Sequence, residues 1–133
     1  ANMFVAGFIG SPAMNFITGR VKAENGKPVF VSNAGSRLPV TAEAAAAAGE
    51  AEVVYGIRPE HLSVAAAGTG IAASVAVLEP TGSETMVIAR LEGEQIVALL
   101  RERIAAHIGD AMPLQLDPTK AHLFDAASGQ RLG

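Results

Sequence analysis

The sequence predicts an all-β fold, a small closed or nearly closed β-barrel with one or two short helices. About seven short segments have the apolar pattern of strands, and Gly or Pro separates each of them from the next. The pair Asn25-Gly26 stands between two of these segments and favours a tight hairpin turn, because both residues readily adopt positive φ angles. Many short strands joined by such turns are typical of barrels.

The first predicted element is a short amphipathic helix at residues 2–9, which a Gly-Ser-Pro sequence ends. Its apolar residues recur at helical spacing and form one stripe: Phe4, Val5, Phe8 and Ile9. We expect residues 1–15 to be a helical linker and residues 16–133 to form the barrel domain.

Two antiparallel strands are predicted to open the barrel. Ile17, Gly19 and Val21 alternate with polar residues, as a half-buried strand requires. After the turn at Asn25-Gly26, the chain is expected to return through residues 29–31 as the partner strand.

An alanine-rich segment follows at residues 41–48. Thr41 is a good helix cap and Gly49 a good helix end, so the segment predicts a helix of one or two turns. The remaining predicted strands, with a short final one, are residues 52–57, 71–78, 85–91, 95–100, 112–116 and 121–124.

Composition limits the classes of function. The chain has 133 residues, which indicates one domain, and it has no cysteine for disulfide or thiolate chemistry. A net charge of −3 with no Trp and one Tyr disfavours a nucleic-acid groove, which needs clustered basic residues and aromatic stacking platforms. No apolar run approaches the roughly 20 residues of a membrane-spanning helix.

No motif for ATP binding or catalysis is present. A P-loop needs Gly-x-x-x-x-Gly-Lys-Ser/Thr. Lys27 is the one lysine that follows a glycine, but Val21 stands at the first glycine position and Pro28 stands where Ser or Thr is needed. Ser83 lacks the glycine frame of a nucleophile elbow. We therefore expect neither ATP binding nor catalysis by this chain.

The three histidines are candidate metal ligands. His61 and His122 each follow a turn that contains proline, but His107 lies in an unrelated loop and no cysteine is available. We expect no metal site, and we expect the rings of His61 and His122 to cap strand ends through hydrogen bonds. For Arg58 we expect a bidentate, partly buried bridge to a carboxylate, either within one barrel or across a subunit contact.

Four motifs in chain order resemble one family, the ATPase subunits of ABC-type sugar and glycerol-phosphate importers. The similarity is to the part that follows the nucleotide-binding domain, an OB-like β-barrel known as a TOBE domain. In that order, the motifs are the segment 4–12 with Met14-Asn15-Phe16, Gly56-Ile57-Arg58-Pro59-Glu60-His61-Leu62, Gly82-Ser83-Glu84-Thr85, and His122-Leu123-Phe124-Asp125 followed by Gly129.

The resemblance implies a regulatory and dimerising role in an importer that takes up a sugar or a glycerol phosphate. It also implies that ATP and Mg²⁺ belong to a nucleotide-binding domain outside this sequence, which we expect to be a piece of a longer subunit. The implied partners are a second copy, that nucleotide-binding domain in cis and, indirectly, the membrane permease subunits; the implied location is the cytoplasmic face of the inner membrane. An oxyanion-binding TOBE module is the alternative, because related barrels in molybdate systems bind oxyanions.

The residues that the motifs single out are expected to be structural or to lie at an interface. They are Phe4, Phe8, Asn15, Arg58, Glu60, His61, Gly82, Glu84, Thr85, His122, Phe124 and Asp125.

Overall fold

The computed structural model describes residues 14–101 and 104–132, and within them the fold is mostly β. The strands are β1 Asn15–Glu24, β2 Lys27–Ser32, β3 Arg37–Pro39, β4 Glu52–Ile57, β5 Leu62–Val64, β6 Ser74–Thr81, β7 Glu84–Arg90, β8 Gln95–Leu100, β9 Leu114–Leu116 and β10 His122–Asp125. One α-helix, α1 Ala42–Ala48, and two 3₁₀ turns, Pro59–His61 and Pro118–Lys120, complete the described elements. The predicted helix at residues 2–9, with Phe4 and Phe8, lies outside the described residues.

Three antiparallel sheets form the domain. The largest has the order β10-β4-β1-β2-β3, the second is β6-β7-β8, and the third pairs β5 with β9. The all-β prediction is therefore confirmed. The predicted number of strands was too low, because β3 and β5 have three residues each and are too short to show an alternating pattern. The strand predicted from Ile71 begins at Ser74 instead, and Ile71 makes an isolated bridge to Leu114.

The first hairpin follows its sequence pattern. Ile17 and Gly19 in β1 are buried, whereas Thr18 between them is exposed. Asn25 and Gly26 have φ angles of 54° and 77°, which is the geometry expected of a two-residue hairpin turn. The predicted turn is confirmed.

The predicted helix at residues 41–48 is also confirmed, as α1. The Thr41 hydroxyl oxygen accepts a hydrogen bond from the Ala44 backbone amide at 3.1 Å, and the Gly49 amide donates to the Ala45 carbonyl. One face of α1 buries Ala48 against the core. The helix is therefore specified by its two caps and by a single small contact face.

The main core lies on the inner face of the five-stranded sheet, between it and the other strands. Phe30 and Tyr55 pack there with ring centroids 5.0 Å apart, and the Tyr55 hydroxyl donates to the Pro39 carbonyl at 2.6 Å. Burial raises the pKa of the Tyr55 hydroxyl above its usual range, so the phenol stays protonated. Other fully buried members are Leu38, Ile57, Ile96, Leu114, Leu123, Val53, Val75 and Val87.

Two polar connections join the five-stranded sheet to the three-stranded one. At the start of β1, the buried Asn15 side chain donates to the Val97 carbonyl at 2.9 Å and accepts from the Val97 amide at 2.7 Å, so it binds β8 as a neighbouring strand would. In the loop between β7 and β8, one carboxylate oxygen of Glu94 accepts hydrogen bonds from the hydroxyls of Ser32 and Ser36. These contacts fix how the sheets meet.

Candidate functional site

The two proline-containing 3₁₀ turns lie at the same end of the domain, which we call the two-turn end. Arg58 follows β4, Pro59 begins the first turn, and β5 follows that turn. Asp117 and Pro118 occupy the equivalent positions in the second turn, between β9 and β10. Strand pairing brings the turns together, because Leu62 is opposite Leu116 and His122 is opposite Gly56. The two turns, which have similar sequences, therefore also lie close together in the fold.

Strand alternation places several motif residues on the outer face of the five-stranded sheet. Gly56 is on this face, because a Cβ atom there would lie 3.0 Å from a ring carbon of Phe124 and 2.7 Å from the sulfur of Met14. Arg58 is two residues beyond Gly56, and His122 is two residues before Phe124, so both belong to the same side. The absence of a side chain at Gly56 makes room for the aromatic cluster beside these basic residues.

The aromatic cluster is a second, smaller apolar core. Phe16 and Phe124 meet edge to face with centroids 5.9 Å apart and an interplanar angle of 79°. Met14 and Val54 are buried with them. Phe124 therefore has a packing role on the outer face, and neighbouring Asp125 accepts a hydrogen bond from the Ser128 amide at 2.9 Å in the following turn.

Basic groups surround His122. Burial, followed by the positive charges of Arg131, Arg58 and His61, lowers the pKa of His122 below 6.5. The His122 ring is therefore neutral at pH 7. Because the folded state binds this proton less readily than the unfolded state does, His122 favours unfolding as the pH falls below about 6.5, its reference pKa.

The hydrogen-bonding prediction for the two histidines was wrong for one nitrogen of each ring. The Nδ1 atoms of His61 and His122 are buried and have no hydrogen-bond partner among the described residues. The backbone groups at this strand end bond to each other. For example, the His61 amide donates to the Arg58 carbonyl at 3.0 Å.

The prediction of a partly buried Arg58 bridge was also wrong within the described residues. Arg58 is exposed, and in the described ranges it forms no ion pair; Glu60, on the adjacent turn, is exposed as well. The reason is geometric, since Arg58 projects from the solvent side of a strand end, where water solvates a guanidinium well. A bridge across a subunit contact stays a prediction. The bidentate arginine of the described chain is Arg37, whose Nε and Nη2 each donate to Glu24 at 2.9 Å.

The Gly82-Ser83-Glu84-Thr85 motif forms the hairpin between β6 and β7. Thr81 pairs with Glu84, and of the two loop residues Gly82 alone has a positive φ angle, 75°, as a type II′ turn requires. Thr85 is buried, while Glu84 is half-buried. The motif lines an open cavity of about 530 Å³ with Leu78, Pro80 and Ile104. The type II′ turn thus explains why the motif has glycine at position 82.

Sequence reasoning missed the partners of the polar residues that join the sheets. Asn15 was singled out only as part of a motif, and Ser32, Ser36 and Glu94 were not considered. No local signal identifies them, because their partners lie 58 to 82 residues away in the chain. Among the described residues, no group of three His, Cys, Asp or Glu side chains is placed to hold a metal ion, and no helix is long and apolar enough to cross a membrane.

Family models match two overlapping parts of the chain. Residues 10–62 match the MalK OB fold domain, and residues 55–124 match the TOBE domain. The chain belongs to the TOBE-domain family, in the branch whose first part is the MalK-type OB fold, and the resemblance drawn from the motifs is confirmed.

The relatives are ABC transporter ATP-binding proteins. An uncharacterized ABC transporter ATP-binding protein of Sinorhizobium fredii is 46% identical over 132 residues, covering 99% of this chain and 34% of the relative. A putative ATP-binding protein of Brucella abortus is 44% identical over 129 residues, covering 97% of this chain and 35% of the relative. The sn-glycerol-3-phosphate import ATP-binding protein of Agrobacterium fabrum is 36% identical over 132 residues, covering 99% of this chain and 35% of the relative. The chain spans about one third of the length of these relatives.

A solved structure has the same fold. The cytoplasmic molybdate-binding protein ModG, crystallised with molybdate bound, superposes with a TM-score of 0.64, covering 82% of this chain and 94% of ModG. The two sequences are 18% identical, so the likeness concerns the fold.

Proposed function

We propose that this chain is the C-terminal regulatory and dimerisation domain of the ATP-binding protein of an ABC importer, and that the importer takes up a sugar or a glycerol phosphate. The observation that carries the proposal is the 46% identity to an ABC transporter ATP-binding protein over 99% of this chain. The relative named for sn-glycerol-3-phosphate import supports the glycerol-phosphate substrate class. In such an importer the domain works at the cytoplasmic face of the membrane, with the permease subunits as indirect partners.

The residues suit a scaffold better than a catalyst. The motif residues Asn15, Gly82 and Phe124 serve turns, packing and sheet connections. The role proposed for the domain is to hold two ATP-binding subunits together while their nucleotide-binding domains open and close.

Dimerisation is expected to involve the apolar stripe of residues 2–9. Fully burying side chains such as Phe4 and Phe8 is worth roughly 1.5–3 kcal/mol each, so the stripe should pack either on the chain's own barrel or across a symmetric dimer contact. The dimer is preferred because the family's regulatory domains pair. Sedimentation equilibrium should find the 133-residue chain as a dimer and the Phe4→Ser, Phe8→Ser double variant as a monomer.

A matched control is the Val77→Ser, Ile108→Ser double variant, which removes the two large apolar residues that are exposed in the described domain. It should remain dimeric. Equal dimerisation by the Phe4, Phe8 variant, with an unchanged circular dichroism spectrum, would exclude the stripe from the contact.

The chain by itself is expected not to bind ATP, because its lysines lack the glycine frame that cradles phosphates. Calorimetric titration with magnesium-ATP should give no saturable heat, whereas the full-length Sinorhizobium fredii relative, titrated in parallel, should bind. Micromolar, saturable binding by the 133-residue chain would contradict the assignment of ATP and Mg²⁺ to a separate domain.

An oxyanion-binding module is the second candidate, supported by the fold shared with molybdate-binding ModG. Molybdate distinguishes the two candidates: a saturable calorimetric signal with molybdate, in a chain that does not dimerise, would favour the module over the importer domain.

A further inference from the structure

The outer side of the two-turn end concentrates basic side chains. Arg58 and His122 share the outer face of the five-stranded sheet, since Gly56 and His122 are directly paired. Arg131 is brought to the same strand by its bridge to Phe124. His61 lies on the adjacent 3₁₀ turn, and these residues are close enough that the charges of Arg58, His61 and Arg131 act on His122. We call this group of four the basic cluster.

Within the described residues no carboxylate forms an ion pair with the arginines of the basic cluster, although Glu60 is exposed on the same 3₁₀ turn as His61. Both arginines are exposed. The nearest carboxylate along β10, Asp125, accepts from the Ser128 amide. Asp117, in the second turn, accepts from the backbone amide and the hydroxyl of Thr119. A concentration of positive groups is unexpected in a chain whose net charge is −3.

Both imidazoles can donate a hydrogen bond from Nε2. In both rings the buried nitrogen without a partner is Nδ1. A neutral ring avoids a buried N–H that has no acceptor, so it keeps its proton on Nε2, where a solvent molecule or a ligand can accept it. Each neutral ring thereby offers an N–H donor next to the guanidinium donors of Arg58 and Arg131.

We propose that the basic cluster of Arg58, His61, His122 and Arg131 is a binding site for a small oxyanion of the phosphate class. Guanidinium groups bind such oxygens in pairs, and the imidazole N–H groups add single hydrogen bonds. A bound dianion also removes the mutual repulsion of the cluster. The site rests neither on dimerisation nor on the importer's substrate, so its failure would leave the importer assignment untouched; only the oxyanion-binding candidate shares its ligand class.

The test is a titration of the 133-residue chain with inorganic phosphate, followed by the NMR signals of the histidine rings. Saturable shifts of the His61 and His122 signals are expected, while those of His107 stay constant. A bound dianion stabilises the protonated ring, so phosphate should raise the pKa of His122; sodium chloride at the same ionic strength should not. A second titration with glycerol 3-phosphate tells whether the site takes the free ion or the phosphoryl group of a larger molecule, and saturation in either supports the site.

Two variants locate the site. Arg58→Gln should weaken phosphate binding at least about tenfold, as loss of a charge-assisted hydrogen bond does. Arg20→Gln is the matched control, because Arg20 is an exposed arginine of the same sheet whose Nη1 donates to the Glu50 carbonyl, away from the cluster; it should bind like the parent. Both changes are at exposed positions, so folding is not at risk. Absence of saturable shifts, identical shifts with chloride, or equal weakening by the two variants would overturn the proposal.

Discussion

Replacing Gly19 by alanine should destabilise the domain by about 3 kcal/mol or more, at or above the upper end of the usual cost of overpacking. A Cβ atom at Gly19 would overlap the Val31 carbonyl oxygen and lie 2.7 Å from the Ser32 Cα atom. Both are backbone atoms of the paired strand β2, where Gly19 is opposite Ser32, so they cannot turn away as a side chain would. The two strands must separate, and the inner face of the barrel opens with them.

Urea denaturation followed by circular dichroism measures the effect. The Thr18→Ala control changes the adjacent, exposed residue of β1 and should shift stability by less than about 0.5 kcal/mol. An unfolding midpoint for Gly19→Ala within error of the parent would show that β1 and β2 approach less closely than described.

Replacing Asn15 by alanine should cost about 2–4 kcal/mol, because several buried backbone groups lose their partner at once. Asn15 donates to the carbonyls of Ile57 and Val97 at 3.1 and 2.9 Å and accepts from the Val97 amide at 2.7 Å. The first of these bonds is within the five-stranded sheet, and the other two cross to β8. The variant should therefore loosen the contact between the two sheets before it disturbs either one.

Thermal unfolding gives the loss in stability, and amide hydrogen exchange gives its location, since the Val97 amide should lose protection first. Asn33→Ala is the control, because Asn33 is exposed in the loop after β2 and its side chain makes no hydrogen bond within the described residues. Asn15→Asp sharpens the test: its carboxylate cannot donate to the two carbonyls, so at pH 7 it should be no better than alanine. Near-parental stability of Asn15→Asp at pH 7 would rule out the donated hydrogen bonds as the cause.

Several elements could be predicted from the sequence because their determinants are local. The hairpin at Asn25-Gly26 depends on the φ preferences of two adjacent residues, and α1 depends on Thr41 and Gly49 at its ends. The period-two pattern of β1 shows directly which residues face inward. The motif around Arg58 identified the family, which the family models confirm.

The predictions that failed concern the hydrogen-bond and ion-pair partners of polar side chains. Arg58 forms none of the expected carboxylate bridges within the described residues, and the Nδ1 atoms of His61 and His122 lack the expected hydrogen bonds. A residue type indicates what a side chain can bind, but its partner depends on which strands are paired. The three-residue strands β3 and β5 were missed for a related reason, since they exist because neighbouring strands supply their hydrogen bonds.

The sequence by itself thus determined the class of fold, the turns, the helix and the absence of a P-loop, since each depends on residues close together in the chain. The tertiary structure alone decided that Asn15 and Glu94 join the sheets, that Gly56 makes room for Phe124, and that Arg58 and Arg131 gather beside His122. These arrangements follow from strand register between segments tens of residues apart, and no local preference encodes a register over that distance.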